Sequence, residues 1–426
     1  MEKIVINGGA PLNGSITIGG MKNAALPVIF ASILVEDKCV IENLPNVSDV
    51  TRSLEILEAM GAVIERRTDG SVSIDTTVIN QGCSPSEIVG KLRASTYLLG
   101  AELARFGKAR VGWPGGCDFG IRPIDQHEKG FERLGATVSR DKGAICLDTG
   151  DAGLCGNSVY LDFASVGATI NVMLAAAKAK GKTIIDNAAR EPHIVAVASF
   201  LNACGAKIFG AGTSIIKIEG VEELHGCNYA IIPDMIEAGT YMVAAAAAGG
   251  SVEIKNVIPK HLETVTSKLR EMGVDVDEYD DSVVVSREPE TKMEPVNIKT
   301  LPYPGFPTDM HPQFAAILTI VDGTSKVTEG VWDNRFRYTD QLRRMGANIS
   351  IAGKTAIIDG VEKLHGTTTT SVDLRGGAAV VIAALAAEGK TEIGSIQTLK
   401  RGYDDLVGKL KAVGADIKII VTDDDE

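Results

Sequence analysis

Residues 54–75 read LEILEAMGAVIERRTDGSVSID, from Leu54 to Asp75. Leu57 and Gly61 frame the phrase L-x-x-x-G-A. An amphipathic helix runs up to Gly61, and a strand, a turn and a second strand follow it. Glycine followed by an extended run is the expected end of a helix entering a strand, because glycine takes the left-handed conformation that closes the last turn. The phrase returns as FERLGATVSRDKGAICLD, FLNACGAKIFGAGTSIIKIEG, KLREMGVDVDEYDDSVVVS and QLRRMGANISIAGKTAIIDG, and once truncated as DLVGKLKAVGADIKII. The closing glycines are Gly61, Gly135, Gly205, Gly273, Gly346 and Gly414, spaced 68 to 74 residues apart. That period exceeds those of the common solenoid repeats, so each unit reads as a small α/β module.

A helix of different character precedes each phrase: MKNAALPVIFASIL, LRASTYLLGAELARF, VGATINVMLAAAKA, IEAGTYMVAAAAAG, HPQFAAILTIV and LRGGAAVVIAALAAEG. These segments are rich in alanine and apolar on nearly every face, the pattern of buried helices. Strands such as GKTIIDN, GGSVEIKN and GKTEIGS follow most of them. The last strand, ADIKII, lacks a hairpin partner and the first, EKIVINGG, lacks its own, so the two are expected to pair. Three modules then fall to each of two domains, one at 22–233 and a discontinuous one at 1–21 and 234–426. The acidic tail Asp423-Asp424-Asp425-Glu426 reads as frayed.

The chain has 426 residues, too many for one ordinary core. A net charge of −12 argues against a nucleic-acid binder, so anionic substrates would need a local basic pocket. Seven cysteines stand singly with no CxxC pair and no metal-ligand spacing to the six histidines, a pattern of free thiols in a reducing cytoplasm. Neither a signal peptide nor a membrane-length apolar run is present.

Polar residues gather at the starts of the six buried helices: Lys22 and Asn23, Arg93, Ser165 with Gly167, Asp234 with Glu237, Asp309, and Arg375. Helix N-termini offer unpaired N–H groups and partial positive charge, which suit anions. Three cations at such ends are unfavourable unless an anion sits among them. If the helices of each domain run side by side, their starts converge on an interdomain cleft. Arg190, Arg335 and Arg401 lead into surface helices, where they are either solvated or paired with acids. His127 opens an amphipathic helix as a base or as a structural residue. Residues 113–123, WPGGCDFGIRP, place Cys117 and Arg122 in a glycine-rich loop of the kind that closes over active sites.

GGMKNAALP, KLRAS, the WPGGC…RP loop, SVGAT, NAAREP, YPGFPTDMHPQF, DNRF, DLRGGAA and RGYDDLVGKL occur in this order across the chain. With them the sequence resembles the enolpyruvyl transferase family that acts on UDP-N-acetylglucosamine. The resemblance implies a two-domain inside-out α/β barrel of six repeats of about 70 residues, three per domain. It implies transfer of enolpyruvate from phosphoenolpyruvate to the sugar 3′-hydroxyl in the cytoplasm, the first committed step of peptidoglycan synthesis, with no cofactor, metal, nucleic-acid or membrane partner. It makes Cys117 the lid thiol, whose thiolate opens the epoxide ring of fosfomycin. Lys22, Arg122 and Arg401 become ligands of the phosphate and of the charge developing with it, and Arg335 with Arg401 the carboxylate pair. Arg93 and Arg375 are further cations. Asn23 and Asp309 are sugar-side residues, with Asp309 the base, and Val331 is a further substrate-binding residue. Arg122, Pro123, Ile124, Asp125, Gln126, Ser165, Val166 and Gly167 hold the uridine end. Some family members carry lysine two residues before the serine of SVGAT; here Phe163 occupies that position.

Such a reaction protonates the C3 methylene while the hydroxyl adds at C2, and elimination of phosphate restores the alkene. It needs cations for carboxylate and phosphate, a base at the hydroxyl and an acid above the alkene. Arginine's fork suits a carboxylate. Cys117 serves as acid if protonated or as nucleophile if ionised. Two rivals stand: the sister transferase acting on shikimate 3-phosphate, in which no glycine-rich cysteine lid is expected, and a non-catalytic sensor of the sugar nucleotide, which needs neither acid nor base.

Overall fold

The computed structural model describes residues 2–80, 89–90, 92–113 and 123–421. The fold is mixed α/β, with six small sheets among the described residues. One module shows the plan. Strand Ser158–Tyr160 leads into the buried helix Val166–Ala177, whose chain returns as strand Lys182–Asp186, parallel to the first. The helix Pro192–Ala203 then leads to the hairpin Lys207–Phe209 and Ile215–Glu219, and the second of these strands pairs antiparallel with Lys182–Asp186. The parallel crossover explains the all-apolar helix: it is covered by its own sheet on one side and by neighbouring helices on the other. Helix Tyr97–Phe106 packs on Val166–Ala177 and on Lys22–Ala31, and Leu374–Ala386 packs on both His311–Ile317 and Met235–Ala248.

Two modules break the sequential pairing. Strand Leu12–Thr17 precedes the helix at Lys22 yet pairs in parallel with Gly250–Lys255, and Asn228–Ala230 precedes the helix at Met235 yet pairs with Lys38–Glu42. The modules thus exchange their leading strands where the chain passes between its two compact units, after Gly19 and after Ile232. The terminal strands Glu2–Asn7 and Asp416–Val421 pair antiparallel, the match expected from their unpartnered sequences.

All six closing glycines hold a left-handed φ, between 82° and 109°. In each case the next residue donates its N–H to a carbonyl five residues back, as from Ala62 to Leu57, Ala136 to Phe131 and Ala206 to Leu201. These bonds satisfy carbonyls that a bare helix end would leave open, and they turn the chain into the strand. A second repeated device was not read from the sequence. Asn43, Asn187 and Asn256 end the strands after the buried helices with positive φ, and each side-chain amide donates to a carbonyl beside the short parallel strand, at Ile231, Leu161 and Ile18. Asparagine tolerates this conformation and supplies the donor, so one residue both turns the chain and pins its neighbour.

Candidate active site

In the unit that contains residues 20–232, Lys22 is the first residue of helix Lys22–Ala31 and is 9% exposed. An ammonium there opposes the helix dipole. Its Nζ lies 3.2 Å from Oδ2 of Asp49, a buried acid in the first turn of helix Ser48–Met60. Arg52 approaches the other oxygen at 3.9 Å, so two cations share one carboxylate. Asn23 follows at a half-buried position. Arg93 stands on the short turn Arg93–Thr96, where burial lowers its pKa.

Helix Asp125–Arg133 carries Gln126, whose amide donates to Asp125 and Asp162 at 2.9 Å and accepts from the Asp162 N–H at 2.8 Å. That clamp fixes the loop that ends at Ser165, which caps its helix by accepting from the Ala168 N–H. Ile124 is buried and Pro123 exposed. His127 is buried against Gly167, where an added Cβ would lie 2.6 Å from Nε2. Burial first, then Arg93, pushes its pKa down to about 4, so the imidazole is neutral. Its position favours the structural reading over the base. Cys117 and Arg122 lie outside the described residues.

In the other unit, Asp309 sits on the turn Thr308–Met310 that leads into helix His311–Ile317. Its Oδ1 accepts from Arg335 at 3.1 Å and its Oδ2 from Arg375 at 3.2 and 3.3 Å. Both guanidiniums are almost fully buried, whereas the Asp309 side chain is 29% exposed. Two buried cations thus meet on one carboxylate, the most exposed member of the three. Asp373 places Arg375 by accepting from the backbone N–H of Arg375 and of Gly376. Burial opposes the charge on Arg375, but Tyr403, Asp309 and Asp234 outweigh it and its pKa rises. Its guanidinium lies 5.4 Å from the centre of the Tyr403 ring, two residues after the half-buried Arg401. The Tyr403 hydroxyl joins Thr240 and Gln313, tying the Arg401 segment to two buried helices.

Glu329 organises this half. Its Oε1 accepts from Thr300 Oγ1, Val331 N–H and Trp332 N–H, and its Oε2 from Thr308 Oγ1 and His311 Nδ1, at 2.7 to 3.1 Å. His311 Nε2 meets the Tyr338 hydroxyl at 2.7 Å. Burial opposes ionisation of Glu329, but His311, Thr300 and the Val331 N–H hold its carboxyl down at about 2. Burial lowers the His311 pKa. The pair is thus an anion with a neutral imidazole, which fixes both Thr308, next to Asp309, and Val331, which is 39% exposed.

Sequence reasoning named the cations but not Asp49, Glu329, His311, Tyr338 or Asp373. Of the three cations at helix starts, Lys22 and Arg375 already have protein carboxylates and so do not by themselves call for an outside anion. The Ser48-Asp49 start of an amphipathic helix was the available signal for the first. The thiols change too: Cys39, Cys204 and Cys227, read as isolated, lie together, with all three sulfurs within 4.8 Å of one another.

The sequence pattern of the family described as EPSP synthase (3-phosphoshikimate 1-carboxyvinyltransferase) matches residues 6–410, and the chain belongs to this family. Within it, the chain is 53% identical over 417 residues to UDP-N-acetylglucosamine 1-carboxyvinyltransferase 3 of Caldanaerobacter subterraneus subsp. tengcongensis, covering 98% of this chain and 99% of that one. It is 52% identical over 419 residues to UDP-N-acetylglucosamine 1-carboxyvinyltransferase 2 of Clostridium acetobutylicum, with 98% and 99% covered. Among solved structures, the enolpyruvyl transferase NikO from Streptomyces tendae superposes with a TM-score of 0.88 at 25% identity, covering 99% of each chain. EPSP synthase from Acinetobacter baumannii superposes at 0.76 with 19% identity, covering 99% of this chain and all of that one, a likeness of fold alone.

Proposed function

We infer that this chain is an enolpyruvyl transferase that moves the enolpyruvyl group of phosphoenolpyruvate onto the 3′-hydroxyl of UDP-N-acetylglucosamine and releases phosphate, in peptidoglycan synthesis. The observation that carries the chemistry is Asp309 held between Arg335 and Arg375. A carboxylate so held accepts a proton late, as charge develops on the attacking hydroxyl. Lys22, Arg122 and Arg401 are assigned to the leaving phosphate and the charge that develops with it. Arg335 and Arg401 take the carboxylate of phosphoenolpyruvate, and Arg93 and Arg375 support them. Cys117 delivers the proton to C3 or adds at C2. Asn23 and Asp309 contact the sugar, and Val331 is a further substrate-binding residue. Pro123, Ile124, Asp125, Gln126, Ser165, Val166 and Gly167 take the uridine end, a role supported by the Gln126–Asp162 clamp and the Ser165 cap.

The same reading takes the chain as a cytoplasmic inside-out α/β barrel with three modules in each of the domains 22–233 and 1–21 with 234–426. The six closing glycines and six sheets support it. No cofactor is assigned. Among the described residues no helix is long and apolar enough to cross a membrane. Phosphate release from phosphoenolpyruvate, measured with UDP-N-acetylglucosamine and with shikimate 3-phosphate as alternative acceptors, tests the assignment. Release with the first alone is expected; release with shikimate 3-phosphate alone, or with neither, overturns it.

A further inference from the structure

We propose that Cys39, Cys204 and Cys227 form a trithiolate site for a thiophilic cation of the Zn2+ or Cd2+ class. The three come from different elements: strand Lys38–Glu42, the residue ending helix Pro192–Ala203, and the residue before strand Asn228–Ala230. Backbone bonds already hold these segments together. Val40 N–H donates to the Cys227 carbonyl and His225 N–H to the Cys204 carbonyl, both at 2.9 Å. The thiols therefore converge on a frame set by the sheet, and binding needs little ordering of the chain.

The distances suit a metal. Cys204 Sγ and Cys227 Sγ are 3.3 Å apart, and all three sulfurs lie within 4.8 Å of one another. A tetrahedral zinc holds each sulfur at about 2.3 Å, which sets neighbouring sulfurs about 3.8 Å apart. Small shifts reach that arrangement. All three thiols are free, and a disulfide between two would leave the third over. Binding releases one proton per thiol: a divalent cation and three thiols give an anionic trithiolate complex and three protons. Cys39 and Cys204 are fully buried, while Cys227 is half-buried. That side admits the cation and leaves the fourth position to water or an external ligand. Sulfur-only donors select soft cations over Mg2+ or Ca2+. Bound metal would rivet the strand that leads to the Ile232 crossing point to the end of the preceding helix.

Cadmium titration of the full chain, metal-free and kept reduced by a phosphine, tests the site. One equivalent should raise a thiolate-to-metal charge-transfer band in the ultraviolet, and should do so as well on chain loaded first with Zn2+, because cadmium is the softer cation and displaces zinc from sulfur donors. Cys227→Ala, at a half-buried position, should fold and lose the stoichiometric band, whereas Cys155→Ala, at an exposed single thiol, should keep it. Thermal unfolding without metal confirms that both variants fold. Absence of the band, its survival in a folded Cys227→Ala, or a Cys204–Cys227 disulfide persisting under reductant would overturn the proposal.

Discussion

Glu329 lets the structure set a magnitude. Its side chain is 1% exposed and accepts five hydrogen bonds, two of them from backbone N–H groups that cannot turn away. Glu329→Ala leaves those two N–H groups and the His311 ring without their acceptor. At about 1–3 kcal/mol for each orphaned buried group, the loss is on the order of 3–9 kcal/mol, against a usual total stability of about 5–15 kcal/mol. Glu329→Gln should cost far less. Its oxygen can keep Val331 and Trp332 while its NH2 faces Thr308 and His311. The Thr308 hydroxyl can rotate, and the His311 proton can move from Nδ1 to Nε2 with Tyr338 turning to accept it. Only the charge-assisted part is lost, about 1–2 kcal/mol. The pH sign follows from a carboxyl held at about 2 instead of 4.5. Its contribution is complete above the unfolded value and lost as pH falls through the folded one. Urea unfolding of parent, Ala and Gln chains at neutral and acid pH is the assay. The parent's advantage over Gln should shrink on acidification. An Ala variant within about 1 kcal/mol of the parent, or a Gln variant as unstable as Ala, would refute the reasoning.

Asp309→Asn should lower turnover by about 10²–10⁴ with little change in sugar-nucleotide affinity, as followed by single-turnover phosphate release and calorimetry. Turnover within a few-fold of the parent would move the base elsewhere. Arg401→Ala should cost about 1.5–3 kcal/mol in kcat/KM for phosphoenolpyruvate; an unchanged value removes its role. Cys117 should be the thiol labelled first by an epoxide mimic of phosphoenolpyruvate such as fosfomycin, faster with UDP-N-acetylglucosamine present, and peptide mapping that puts the label elsewhere would defeat this. His127 is neutral with a pKa lowered from 6.5 to about 4 by burial and Arg93, against the opposing pull of Asp125. Its contribution to stability is present above 6.5 and lost as pH falls through about 4. His127→Gln should flatten the fall in melting temperature over that window, and an unchanged slope counts against the assignment.

The modules were readable because their signals are local. A glycine that must turn left-handed and a helix apolar all round each announce themselves within a few residues. Lys22, Arg93 and Arg375 were readable for the same reason, standing at recognisable helix starts, whereas Arg335 and Arg401 came from the family resemblance. Their partners were not. Glu329 lies at the end of a strand like many surface acids, and only the fold brings Thr300, Thr308, His311 and Val331 around it. Asp49 is an ordinary first-turn acid until the Lys22 helix packs beside it. The three thiols, separated by long stretches of chain, had no spacing to betray them. Side-chain chemistry shared across modules is invisible to a reading that moves along one module at a time.

The exchanged leading strands give the molecule a timetable. Among the described residues, every strand of the sheets in the unit spanning 20–232 lies between Lys38 and Ala230, so that unit can finish while the rest is still being made. The other unit works the opposite way. Glu2–Asn7 and Leu12–Thr17 are synthesised long before their partners, Gly250–Lys255, Lys390–Gly394 and Asp416–Val421. The two early strands must wait, edges bare, until the strands that flank them have been made. Removal of Asp416–Val421 therefore strikes Glu2–Asn7 as hard as its own module, and a nascent chain stalled before Lys390 leaves Glu2–Asn7 without either of its partners.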